Sequence, residues 1–184
     1  MRLRGILLVI LIALMLSGCT AEGSSSQLSK EDLSIKKVEG GKSKVEYGMS
    51  RSDVEKVLGT GEKSTMEFFT YGNGVKIMYR NDKVAGISLD KEAADKYQTP
   101  KIKIGMLKSE VKEAYGEENI LLEANANLDY AYDIKTGAFL TQESKPKGSA
   151  EEMEDVYLVS VMFDDDGYAE RIMLLDQRMA IIMN

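Results

Sequence analysis

The chain has 184 residues, with 24 Lys and Arg against 30 Asp and Glu, a formal net charge of −6, one cysteine and no histidine. An acidic chain is a poor nucleic-acid binder, because affinity for phosphate comes mainly from Lys and Arg. The absence of histidine excludes Ser-His-Asp catalysis, His-ligated zinc and an imidazole pH switch.

Residues 1–18 have the layout of a secretory signal peptide. Arg2 and Arg4 precede an apolar run at residues 6–16, and small residues follow it. At 1.5 Å per residue, residues 5–16 form a helix of about 18 Å, which is short of the roughly 30 Å hydrocarbon core of a bilayer. The segment therefore predicts export, and a permanent transmembrane anchor is the less favoured alternative.

The residues that end this segment, Leu16, Ser17, Gly18 and Cys19, resemble the lipobox of bacterial lipoproteins. In a lipobox the cysteine thiol receives diacylglycerol, and cleavage leaves that cysteine first. Because Cys19 is the lone cysteine of an exported chain, acylation explains it better than a disulfide does. The alternative is a chance cysteine beside an ordinary cleavage site. We expect covalent diacylglycerol and palmitate on Cys19, with no dissociable cofactor, and two or three acyl chains anchor a protein stably.

Residues 19–43 are rich in Ser, Gly and charge, which predicts a flexible tether behind the lipidated cysteine. About 25 such residues reach on the order of 25–30 Å, enough to lift a domain clear of the lipid headgroups. We predict an extracytoplasmic domain that is lipid-anchored to the cell membrane. The Lys- and Glu-rich composition favours a Gram-positive host; in a Gram-negative host the anchor would lie in the outer membrane.

Two similar phrases, at residues 44–59 and 101–116, each predict a short helix. Ser50 is suited to cap the first helix and Gly59 to end it. In the second phrase Leu107 replaces the capping serine, so we expect a looser first turn, by about 1 kcal/mol. The phrases share these aligned residues: Lys44 and Lys101, Gly48 and Gly105, Met49 and Met106, Ser52 and Ser109, Val54 and Val111, Gly59 and Gly116.

Short alternating runs separated by turn residues follow each helix and predict antiparallel meanders. In the first half these runs are residues 66–71, 75–80 and 84–89, and the second half ends with a strand at 169–175. We predict a connecting helix at 91–98. The fold class is then α+β, with two tandem helix-plus-antiparallel-meander repeats. Their bounds are 44–98 and 99–184, with an insertion at 133–155.

A helix introduced by Gly-Met-Ser, carrying an acidic residue and Val in its first turn, ended by Gly and followed by a meander, resembles a known superfamily. It contains the small lipoprotein of the outer-membrane β-barrel assembly machinery (BamE/SmpA-like) and the tandem-repeat β-lactamase inhibitor protein (BLIP). The resemblance covers residues 44–176, and the lipobox agrees with the first relative. It implies a BLIP/BamE-like fold in a small exported domain that binds other proteins through its sheet face and loops.

Four tyrosines on predicted strands are candidate partner-binding residues: Tyr71, Tyr79, Tyr130 and Tyr132. Strand alternation can place several of them on one exposed face, where aromatic side chains often anchor partners. The alternative is that they pack beneath the helices with their hydroxyls at the rim.

The insertion at 133–155 has no counterpart in the first repeat and supplies two further candidate contacts, Lys145 and Lys147. Loops that depart from a repeated scaffold often carry function, although a solvated insertion without a role is the alternative. Residues 134–140 predict an extra hairpin within it. The C-terminal segment at 177–184 is apolar enough to cap the sheet or to contact a partner.

The Asp run at residues 164–166, followed by Gly167, invites a calcium interpretation. If Gly167 took the sixth position of an EF-hand loop, Met162 and Met173 would take the first and twelfth, and neither side chain ligates calcium. We expect an Asp-Gly turn between two strands and no metal site.

The favoured function is a protein-binding module in the cell envelope, acting in assembly, as a scaffold or in sensing, with a protein partner and no enzymatic activity. One alternative is an inhibitor of a secreted or surface enzyme. Another is an enzyme that uses two carboxylates about 5–9 Å apart in a cleft.

Overall fold

The computed structural model describes residues 27–39, 43–64, 68–142 and 149–182. These residues form an α+β fold of three helices and antiparallel sheets, as predicted. No helix among them is long and apolar enough to cross a membrane. The signal peptide, the lipobox and Cys19 lie outside the described residues.

The helices are α1 (Arg51–Leu58), α2 (Lys108–Tyr115) and α3 (Gln177–Ile182). The strands are β1 (Ser34–Lys37), β2 (Lys44–Glu46), β3 (Glu62–Lys63), β4 (Phe68–Tyr71), β5 (Val75–Arg80), β6 (Lys83–Asp90), β7 (Tyr97–Gln98), β8 (Ile120–Ala124), β9 (Asn127–Asp133), β10 (Ala138–Leu140), β11 (Val156–Phe163) and β12 (Ala169–Asp176).

One nine-stranded sheet dominates the described structure. Its strand order is β10-β9-β11-β12-β6-β5-β4-β3, and β8 pairs with β9 beside β10. β6 and β12 join the two halves of the sheet, with Ser88 opposite Met173 at the middle of their pairing. The hydrogen-bonded sheet is therefore continuous from the first half of the chain to the second.

The helices α1 and α2 cover one face of this sheet. Val54 of α1 and Val111 of α2 are fully buried against strand residues of the main core. Because successive strand side chains point to opposite faces, every second strand residue enters this core. Its largest fully buried strand side chains include Tyr71, Ile77, Ile87, Leu128, Tyr130, Ile172 and Leu174.

The two helices begin with the same backbone conformation but different caps. Ser50 accepts a 3.3 Å bond from the Asp53 amide and donates a 2.7 Å bond to its carboxylate. Leu107 has no side-chain acceptor, and its amide donates a 2.7 Å bond to Glu110 Oε2. The first turn of α2 therefore lacks the side-chain cap of α1, as predicted.

Corresponding backbone bonds tie both helices to the sheet. The Gly48 amide donates to the Val84 carbonyl at 2.7 Å, and the Gly105 amide donates to the Ala169 carbonyl at 2.8 Å. Each of these strand residues donates back to the methionine after the glycine, at 2.9 and 2.8 Å. Both glycines have φ near +80°, a conformation that other residues rarely adopt.

The predicted tether extends too far along the chain. Residues 28–37 belong to the fold, because β1 pairs with β2 on one side and β7 on the other. Leu28, Leu33 and Ile35 are buried in the main core. The Ser-, Gly- and charge-rich composition concealed the alternation of Leu33 and Ile35, which is typical of a short strand.

The predicted connecting helix at 91–98 is wrong. A single 3-10 turn, Lys91–Ala93, is capped by Asp90, whose Oδ1 accepts from the Glu92 amide at 3.0 Å. The chain then extends into β7, where Tyr97 is buried and pairs with Lys37 of β1. This pairing could not be predicted once β1 had been assigned to the tether.

The predicted hairpins agree with the structure. β5 has the predicted bounds, and β6 and β12 each differ from them by a residue at one or both ends. The extra hairpin is formed by β9 and β10, with Gly137 at φ +69° in its turn. The insertion follows the end of β9 at Asp133, adds β10 to the sheet, and ends before Val156, the start of β11.

Candidate functional site

The four tyrosines predicted as exposed anchors lie in the core. Tyr71, Tyr79, Tyr130 and Tyr132 are at most 4% exposed and belong to the cluster beneath α1 and α2. The hydroxyls of Tyr71 and Tyr79 bond to each other at 2.6 Å. The structure therefore corrects the prediction of surface contacts and agrees with the alternative, packing beneath the helices.

The alternation of β9 explains why these side chains point inwards. Leu128 and Tyr130 face the core, whereas Asn127 and Asp129 face the opposite side of the sheet. Polar residues alternate with the aromatic ones along this strand, and the aromatic set takes the helix-covered face. The face opposite α1 and α2 is called here the open face.

A groove with a volume of about 630 Å³ lies on the open face between β8 and α3. A pocket of this size is within the range of known ligand sites. The lining residues come from β8 to β12 and from α3, and they are Leu121, Leu122, Asn127, Asp129, Ala131, Leu140, Leu158, Ser160, Met162, Met173, Leu175, Gln177, Ala180 and Ile181.

Most of the groove surface is apolar, and part of it is exposed. Leu122 on one wall is 40% exposed and Ile181 on the other is 52% exposed. Met162 and Met173 form part of the floor, and methionine side chains adapt readily to irregular partners. Exposed apolar side chains around a concave surface are typical of protein-binding sites.

Helix α3 forms one wall because its Met179 is buried on the open face. Met179 packs with Met78, Ala85 and Leu175 in a small cluster separate from the main core. The C-terminal segment thus caps one part of the sheet through Met179, and Ile181 on the same helix remains exposed to the groove.

A buried ion pair fixes the start of α3. Asp176 is 0% exposed and accepts bonds from the Arg80 guanidinium at 2.6 and 3.1 Å and from the Tyr47 hydroxyl at 2.6 Å. It also accepts a 2.8 Å bond from the Met179 amide. Burial, with the adjacent Asp176 carboxylate, raises the pKa of Tyr47, so its phenol stays neutral as a donor.

Among the described residues, Asp129 is the one charged residue that lines the groove. Its Oδ1 is shielded from solvent and accepts no hydrogen bond from any described residue. Gln177 Oε1, at the α3 end of the groove, is also shielded from solvent and accepts no hydrogen bond from any described residue. Two unsatisfied acceptors therefore border an apolar surface, and sequence reasoning missed both.

The other predicted sites are placed as follows. Lys145 and Lys147 lie outside the described residues. Asp164 occupies the turn between β11 and β12, where its Oδ1 accepts a 2.9 Å bond from the Tyr168 amide, in keeping with the predicted Asp-Gly turn. No group of three or more acidic or thiol side chains in the described part of the chain is arranged to hold a metal ion.

A smaller cleft of about 240 Å³ lies where β7 meets the turn between β4 and β5. Its lining is mainly charged and polar, and Lys96 there already donates a 2.5 Å bond to Asn73 Oδ1. The groove on the open face is larger and more apolar, so it is the stronger candidate site.

Comparison with protein-family models gives no match. Comparisons with the curated proteins and with the solved structures give no significant match either. The evidence for function therefore comes from the residues and geometry of the chain itself.

Proposed function

We propose that this protein is a membrane-anchored extracytoplasmic lipoprotein whose folded domain binds a partner protein of the cell envelope. The observation that carries the proposal is the groove on the open face, with exposed Leu122 and Ile181 on its two walls. A single exposed leucine needs no explanation, but several apolar residues converging on a concave surface favour contact with another protein. The lipid on Cys19 would hold this surface near the membrane.

The tandem-repeat architecture is part of the proposal. Its support comes from the corresponding backbone bonds of Gly48 and Gly105 to their strands. The pairing of β6 with β12 adds to it: Ile87 lies opposite Leu174 and Ile172 lies opposite Leu89, symmetrically about the Ser88–Met173 pair. Such symmetry is expected when two copies of one unit join edge to edge.

Site-directed photo-crosslinking in the native host tests the binding site. A photo-reactive phenylalanine analogue at Leu122 or at Ile181 should capture the same partner, because both side chains border the groove. The matched control is the analogue at Glu113, an exposed residue of α2 on the opposite face. Equal capture from Glu113 would place the contact elsewhere and contradict the proposed site.

The captured protein must then bind the purified domain directly. Ser160→Trp, which fills the middle of the groove, should abolish this binding without unfolding the domain, since Ser160 points away from the main core.

For the anchor, labelled palmitate should enter the wild-type protein and not a Cys19→Ala variant. Label in that variant would contradict lipidation at Cys19.

A further inference from the structure

We infer that the groove binds an apolar segment of the partner protein that carries one lysine or arginine, and that Asp129 pairs with this positive charge. The inference rests on the proposed function and names the chemistry of the segment bound at the same site.

The first argument is the unpaired oxygen of Asp129. A carboxylate oxygen removed from water without a hydrogen bond is costly, and native structures normally satisfy such atoms. Asp129 Oδ1 is shielded and unpaired among the described residues. By contrast, the buried Asp176 before α3 accepts bonds from Arg80, Tyr47 and Met179. A hydrogen-bond donor from the partner would satisfy the Asp129 carboxylate, as Arg80 satisfies the Asp176 carboxylate.

The second argument is the sign of the charge. The groove lining contains no Lys or Arg within the described chain, so Asp129 has no cation of its own there. The net charge of −6 also favours the approach of a cationic segment and opposes an acidic one. An ammonium or guanidinium group is the donor that a carboxylate binds most strongly.

The third argument is the position of Asp129 beside an exposed apolar side chain. In the register of the sheet, Asp129 lies opposite Leu122 of β8 on one side and Ser160 of β11 on the other, and Met173 follows Ser160 across the sheet. A lysine or arginine side chain has an apolar stem and a charged end. The stem would lie along Leu122 while the charged end reaches Asp129.

Gln177 offers a second hydrogen-bond acceptor to the bound segment, at the α3 end of the groove. Its unsatisfied Oε1 accepts one N–H, which an amide of an extended segment can supply. Because leaving a buried acceptor unpaired is penalised, these two acceptors would select a segment that presents donors at both places.

Binding of two fluorescent peptides to the purified protein tests the inference. One is a seven-residue apolar peptide with a central lysine; the other has norleucine there, which keeps the length and removes the charge. The lysine peptide should bind wild type at least about tenfold more tightly, as expected for a shielded charge pair. Asp129→Asn should remove this preference by weakening the lysine peptide alone.

Asp165→Asn is the matched control, because it removes the same charge from an exposed turn and should change neither affinity. Equal binding of the two peptides to wild type, or loss of affinity for both in Asp129→Asn, would overturn the charge pairing and leave the groove as a binding site. If neither peptide binds, the inference fails. If Ser160→Trp also still binds the captured partner, the proposed function at this groove fails with it.

A second copy of the chain is the competing occupant. Sedimentation of the purified protein distinguishes it: a dimer that Ser160→Trp dissociates and that does not bind the lysine peptide would show that the groove is closed by self-association and would overturn the inference. A monomer that binds the peptide supports it.

Discussion

Two aspartates, Asp176 at the end of β12 and Asp129 in the groove, have surroundings that assign them different roles. Asp176 is fully buried, and its carboxylate is satisfied by a guanidinium, a phenol and a backbone amide. Its bonds join the end of β12 to β5 and to the first turn of α3. Asp129 has a shielded oxygen without a partner. The first is therefore a structural residue, and the second is poised for a ligand.

Asp176→Asn should destabilise the protein by about 3 kcal/mol, because an amide cannot balance the guanidinium of Arg80 held beside it. Urea denaturation followed by circular dichroism measures the change. Asp165→Asn, on an exposed turn, is the control and should lie within about 0.5 kcal/mol of wild type. A loss as small as that of the control would mean that Glu154, 3.2 Å from Arg80, suffices to hold it.

Among the secondary-structure elements, α1 and α2 provide a matched pair for a test of capping. The residues before them, Ser50 and Leu107, have nearly the same backbone angles, with φ near −68° and ψ near 150°. Ser50→Ala should destabilise the protein by about 1 kcal/mol, whereas Leu107→Ser should stabilise it by a similar amount. Thermal unfolding of both variants measures this. A loss of stability in Leu107→Ser would show that Leu107 contributes more through packing than a cap would add.

The segment around β1 is buried, which contradicts the predicted tether over these residues. Leu33→Ala should cost about 3 kcal/mol, because a fully buried leucine loses both its apolar transfer energy and its packing contacts. Lys36, three residues further along in β1, is exposed, and Lys36→Ala should change little. If both substitutions had equally small effects on the urea midpoint, the segment would not be packed in the core, and the predicted tether over residues 19–43 would be correct.

The elements that could be predicted are those whose signals are local. Ser50 and Gly59 bound α1, and turns such as that at Gly167 bound the hairpins, because caps and turn glycines act within a few residues. β1 and β7 could not be predicted in this way. Each has at most four residues, and the two pair with each other although they lie about 60 residues apart in sequence. Their stability comes from tertiary contacts, which composition does not reveal.

For the molecule as a whole, the same alternation that builds the core also creates the site. Helices α1 and α2 cover one face of a continuous sheet, and of the described helices only the short α3 covers part of the other, so the groove remains between β8 and α3. The alternation of β9 could have placed Tyr130 inside and Asp129 outside. The groove itself could not be predicted, because it needs the position of α3, which depends on the ion pair between Asp176 and Arg80.

The last prediction concerns the response of the whole fold to alkali. Burial is the main cause that raises the pKa of most of the nine tyrosines above their ordinary value near 10. These residues are Tyr47, Tyr71, Tyr79, Tyr97, Tyr115, Tyr130 and Tyr157.

A group whose folded pKa is raised stabilises the fold fully below its unfolded pKa, and this stability is lost as pH rises through the folded value. Stability should therefore hold up to about pH 10 and fall above it. We expect tyrosinate absorbance and the loss of far-ultraviolet circular dichroism to rise together in one cooperative step. The urea-unfolded protein, as the control, should titrate gradually near pH 10. Gradual ionisation of the folded protein at that pH, with its circular dichroism unchanged, would contradict the burial of these phenols.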